Sequence, residues 1–205
     1  FMGVIEHVLS DPGKPNGVKS IDKLPRADRE LVDDTLRVVS IAFSYLDGAD
    51  SVGRFLASRD DKRFAHLLYS RLGDLFVEKE RYQDGAAAYR AYVAQDPNSE
   101  FAPQLAMQAI EAYDKGGFAS LVLEGKQDFI ERYNFGTAFW QGRDPAEYGA
   151  ISAALNKSLK DVASYYHATA QASKKPADYA EAARWYRTYL QSFPKEPESA
   201  GTNLL

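Results

Sequence analysis

Slid along itself by 97 residues, the sequence meets its own copy. Residues 82–97 lie over residues 179–194 without a gap, and Tyr82/Tyr179, Ala86/Ala183, Tyr89/Tyr186, Arg90/Arg187, Tyr92/Tyr189 and Pro97/Pro194 are identical. The same register runs back to Tyr69/Tyr166. These spacings have a physical reading in a helix pair. A small residue, Gly85 or Ala182, suits the point where two antiparallel helices approach closely. An aromatic four residues on, Tyr89 or Tyr186, fills the space beside that contact, and proline ends the second helix. On this register Gly85→Ala is expected to be tolerated, since alanine stands at the equivalent position.

The rest of the chain reads as more of the same. Leu31, Val32, Leu36, Val39, Ala42, Phe43 and Leu46 recur mostly at steps of three and four, which predicts an amphipathic helix over 27–46. Gly48 suits its C-terminal cap, and a shorter helix follows through Val52, Phe55 and Leu56. Further helices are predicted around Leu67–Phe76, from Tyr82 to Val93, through Ala106, Ile110 and Tyr113, and over 119–133. Pro103 fits a first helical turn, and Gly116-Gly117 fits a stop. Turn formers (Asp11-Pro12-Gly13, Pro15-Asn16-Gly17, Pro25) mark 1–26 as an irregular lead-in, with a short helix over 4–9. Phe139-Trp140 and Asp144-Pro145 mark a break before a helix over 146–159. No sustained alternation of β-branched residues predicts a sheet.

Residues 66–99 resemble a tetratricopeptide repeat, a helix–turn–helix unit of about 34 residues. In that motif's order the positions are Tyr69, Leu72-Gly73, Phe76, Gly85, Tyr89 and Pro97; Tyr92 stands where the motif usually has alanine. Residues 163–196 match in the second helix but carry Thr169, Ala170 and Ser173 in place of Leu72, Gly73 and Phe76. Residues 100–135 read as an extended repeat, and 136–162 fit none. The resemblance implies an all-α fold, a right-handed solenoid of antiparallel helix pairs over 27–205. The phrases Ala109-Ile110-Glu111-Ala112-Tyr113 and Phe129-Ile130-Glu131-Arg132-Tyr133 are similar to bacterial envelope proteins of this class, such as the outer-membrane assembly lipoprotein and the Tol–Pal coordinator. That second resemblance implies a periplasmic or outer-membrane-associated setting. Residues 198–205 read as the start of another helix, which suggests a fragment of a longer repeat protein, since a solenoid needs a polar cap.

Composition narrows the chemistry. The 205 residues sum to 25 Lys+Arg against 29 Asp+Glu, net −4, which argues against a nucleic-acid partner. With no cysteine, a disulfide scaffold, thiol catalysis and Cys-ligated zinc are excluded. No apolar run is long enough for a bilayer span, and Phe1-Met2-Gly3 opens no recognisable signal peptide. His7, His66 and His167 are too scattered for a local ligand set, and His66 reads as a surface or helix-end residue. The mixed-sign run 59–63 reads as a solvated turn. Neither a phosphate loop nor a nucleophile elbow is present, so no cofactor is expected. Tyrosine and its aromatic partners make up 13% of the chain. They suit either an interface or inter-helix packing; the repeat register assigns Tyr69, Phe76, Tyr89, Tyr166 and Tyr186 to packing. Trp140 lies outside that register.

The family's ligand groove is lined by the inner face of each first helix. Carried over, those positions are Ser70, Asp74 and Glu78, then Met107, Glu111 and Lys115, then His167, Gln171 and Lys175. A plain solvated helix face would show the same polarity. The resemblance thus implies a non-catalytic scaffold that binds a peptide or partner helix. The rivals are a regulatory or adaptor module of a larger enzyme or secretion machine, and a helical enzyme with a site in the irregular region 136–162, where Arg143, Asp144 and Glu147 are the ionisable residues close together. The oligomeric state is not encoded in these patterns.

Overall fold

The computed structural model describes residues 1–11, 13, 17–60 and 62–194. The predicted last helix at 198–205 therefore lies outside the described residues, as do Asp61 of the mixed-charge run and Pro12, Pro15 and Asn16 of the turn formers. Among the described residues the fold is all-α: nine helices, and no strand pairing beyond one isolated bridge between Ser10 and Val18. The chain divides into two units, residues 1–96 with 111–117, and residues 97–110 with 118 onward.

The first unit holds α1 (Met2–Leu9), α2 (Arg26–Ser44), α3 (Ala49–Ala57), α4 (Ala65–Glu78) and α5 (Tyr82–Gln95). The expected irregular lead-in contains α1, and it is part of the core: Ile5 and Leu9 are fully buried, and α1 packs on α2. An ion pair from Arg59 to Glu6 ties it to the end of α3. On α2 the buried residues are Val32, Thr35, Leu36, Val39 and Ser40, one face at steps of three and one. Gly48 closes the turn to α3 at φ 57° with its N–H on the Phe43 carbonyl, a conformation that favours glycine.

Contact between α4 and α5 depends on the absence of two side chains. A Cβ at Gly73 would sit 2.3–2.7 Å from the Tyr89 ring, and one at Gly85 would sit 2.7 Å from Val77 Cγ2 and 3.1 Å from the Gly73 carbonyl oxygen. The close approach at Gly85 was expected; its consequence was not. The neighbours are a stiff β-branched side chain and backbone, so Gly85→Ala meets a clash that offsets its gain in helix propensity. His66 also departs from expectation: it is 8% exposed, its ring 6.3 Å from that of Tyr92, with Nδ1 3.1 Å from the Arg63 carbonyl. Tyr92 itself, where the motif has alanine, is buried between the Tyr69 and His66 rings.

The second unit holds α7 (Ala119–Tyr133), α8 (Gly149–Ser173) and α9 (Pro176–Ser192), with α6 (Ala102–Lys115) shared between the two units by residue number. Phe129, Tyr133, Phe139, Leu155, Leu159 and Val162 form its interior. The predicted break is two 3-10 turns, Ala138–Trp140 and Pro145–Glu147. The expected helix over 146–159 does not stop there: α8 runs without interruption for 25 residues into the second repeat match and ends where Lys174 turns left-handed at φ 57°. No glycine or proline interrupts that stretch after Gly149, so nothing ends it locally.

Candidate functional site: the cleft between α2 and α4

Between α2 and α4 lies a cleft of about 320 Å³ walled by Asp33, Asp34, Arg37 and Ser40 from α2 and Arg71, Asp74, Leu75 and Glu78 from α4. Its walls follow from helix periodicity. Positions 33, 37 and 40, and positions 71, 74, 75 and 78, each fall on one stripe at steps of three and four. The adjoining stripes, Val32, Leu36 and Val39 on α2 and Leu68, Leu72 and Phe76 on α4, are buried. Four carboxylates thus face two guanidinium groups. An ion pair from Arg71 to Asp33 bridges the two helices, and Arg37 reaches Asp34 at 3.4 Å along α2.

Asp74 anchors the cleft to α5. The Tyr89 hydroxyl donates to Asp74 Oδ1 at 2.7 Å, a reach made possible by the missing side chain at Gly73. Burial pushes the Asp74 carboxyl up. The Tyr89 hydroxyl, Arg71 and Lys115 pull it back, while Glu78 adds to the rise. Burial likewise raises the Tyr89 hydroxyl, reinforced by Asp74, Glu111 and Glu78. On the same unit Arg90 Nη1 donates to the Tyr113 hydroxyl at 3.1 Å. Asp74, Glu78, Glu111 and Lys115, four of the expected groove residues, therefore act on one electrostatic centre. Ser70, a turn before Asp74, is half-buried and not part of the cleft wall.

The other expected groove residues belong to the second unit. Gln171 is exposed on α8 and Met107 half-buried on α6. His167 is turned onto α9: its Nδ1 lies 3.0 Å from the Tyr186 hydroxyl, with the rings edge to face at 5.8 Å. Lys175 is not on the first helix at all. It precedes α9 in the two-residue turn, because α8 ends at Ser173.

Asp33 and Asp34, expected only as charges that suit the dipole near the start of α2, turn out to wall the cleft, as do Arg37 and Ser40. The signal was present as a polar stripe at 33, 37, 40 and 44. Trp140 is 8% exposed and donates through Nε1 to the Tyr133 carbonyl at 2.8 Å, amid the rings of Phe135, Phe139 and Tyr148. The rival site nearby does not converge. The Arg143 guanidinium is bonded to the Phe139 and Asn98 carbonyls, and Asp144 caps the Pro145–Glu147 turn through the Ala146 N–H.

Among the described residues no group of three or more His, Asp or Glu is placed to hold a metal ion, and no helix is long and apolar enough to cross a membrane. Set against protein-family models, curated proteins and solved structures, the chain matches none of them.

Proposed function

We propose that this chain is a non-catalytic interaction scaffold of tetratricopeptide type, its helix pairs successive turns of a right-handed solenoid, and that it recognises a peptide or partner helix through the faces of α2 and α4. The α2–α4 cleft carries this reading. Its charged side chains come from two helices, they are held in place by a cross-helix ion pair and a tyrosine hydrogen bond, and they lie beside the stripes that form the core. Charges in such a position set association rate and partner choice more than fold stability. An envelope-assembly setting rests on the sequence phrases around Tyr113 and Tyr133 alone.

The test is affinity capture from the source cell with the wild-type chain and with Asp74→Lys/Glu78→Lys, each checked by its melting curve. A partner captured by the wild type and lost from the folded double variant is the expected result. An identical set of captured proteins at low and moderate salt overturns the placement of the site.

A further inference from the structure

Two features of α2 remain unused by its packing. The first is apolar. Leu31 and Val38, with Tyr45 at the C-terminal cap of the helix, are 48%, 40% and 86% exposed. They recur every seven residues, a ridge about 21 Å long at 1.5 Å per residue. An exposed apolar row along a helix gives a second helix a line to pack against; an extended peptide gains nothing from it, because a helix offers it no backbone partners. The second feature is polar. Thr35 and Ser44, on the same helix, bond back to the Leu31 and Ile41 carbonyls. Ser40 does not: it is 2% exposed, its Oγ has no hydrogen-bond partner, and it belongs to the cleft wall. A buried hydroxyl without a partner costs stability, and its residue borders a cleft where carboxylates outnumber guanidinium groups four to two.

Ridge and cleft adjoin. Asp34 lies between Leu31 and Val38 on the helix surface and also lines the cleft. Resting on the scaffold reading above, we infer that α2 docks a basic amphipathic helix of a partner protein. Its apolar seam covers Leu31, Val38 and Tyr45, and a lysine or arginine from its flank crosses Asp34 to enter the cleft. There Asp74 and Glu78 supply the excess negative charge. Long cationic side chains can lay their stems along such a ridge and place the charge beyond it. An anionic lipid surface is the wrong partner, since the carboxylates beside the ridge would repel it.

The probe is a pair of fluorescein-labelled synthetic helices of about 21 residues, three heptads with the same leucine seam, one with lysine flanks and one with glutamate flanks. Anisotropy titrations are expected to show the lysine peptide binding about tenfold tighter at low salt. Val38→Asp/Tyr45→Asp should abolish binding of both peptides, whereas Asp74→Asn/Glu78→Gln should remove most of the preference for lysine and leave the seam contact. Equal affinity for the two peptides, or preference for glutamate, overturns the basic class while leaving a helix-docking scaffold standing. Failure of both peptides overturns this inference; the capture experiment above then decides the scaffold reading separately. Sedimentation showing a dimer that Val38→Asp dissolves would assign the ridge to a second copy and overturn the inference as well.

Discussion

The helix pairs α4–α5 and α8–α9 share a sequence register but not a packing solution. In the first, Gly73 lets the Tyr89 ring lie against α4 and reach Asp74. In the second, Ala170 occupies the place of Gly73, and Tyr186 bonds His167, the counterpart of Ser70, one turn nearer the start of the helix. The first pair puts its bulk on the first helix, with Leu72 and Phe76 buried. The second has Thr169 and Ser173 there and moves the bulk across to Trp185, which stands where α5 has Ala88 and stacks on Tyr166 at 6.1 Å and 13°. A helix pair thus tolerates relocation of volume between its two members provided the total is kept, as interior packing requires. What does not relocate is the tyrosine-to-carboxylate bond, and among the described residues the acidic cleft lies on the first pair's α4.

Gly73 is the sharpest place to break this contrast. Gly73→Ala drives a methyl into the Tyr89 ring and is expected to cost about 3 kcal/mol in urea denaturation. Ala170→Gly should lose only about 1 kcal/mol of helix propensity. Equal costs would mean that the two tyrosines pack alike.

The pairs should also respond differently to pH. His66 has Ala163 as its counterpart, and burial pushes its imidazole down to about 4, only partly opposed by the Arg63 carbonyl. The unfolded chain then takes up a proton that the folded chain refuses. Stability from this group is complete above pH 6.5 and is lost as pH falls towards 4, at up to about 1.4 kcal/mol per unit, or about 2 kcal/mol by pH 5. Asp74, whose folded carboxyl is raised, works in the opposite direction. Chemical denaturation of wild type and His66→Ala between pH 7 and 5 checks this: the variant starts less stable but should lose the slope. A slope unchanged in His66→Ala would place the acid sensitivity elsewhere.

The smallest difference lies in the tyrosine hydroxyls. Tyr89→Phe leaves the half-buried Asp74 without its donor and should cost about 1.5 kcal/mol, while Tyr186→Phe, facing a half-buried histidine, should cost about 0.5 kcal/mol. Thermal melts of the two variants side by side would reveal the order, and a reversal would make His167–Tyr186 the stronger tie.

The helices themselves were legible in the sequence because helix formation is governed by neighbours three and four residues away. The helix over 119–133 has the predicted limits, and α2 and α3 lie within one or two residues of theirs. The close approach at Gly85 was legible too, since a small residue repeated at the same place in two copies has a steric cause. Burial of individual polar groups was not. His66 is interior because Tyr92 and the Arg63 carbonyl close over it, and Lys175 leaves the first helix because α8 stops at Ser173. The cleft was half legible. Asp74 and Glu78 followed from the repeat register, but their partners did not, because the Asp33–Arg71 pair joins positions 38 residues apart. Local periodicity determines which face of a helix is apolar; which charged face it meets is decided only when distant helices pack, and that choice made the cleft.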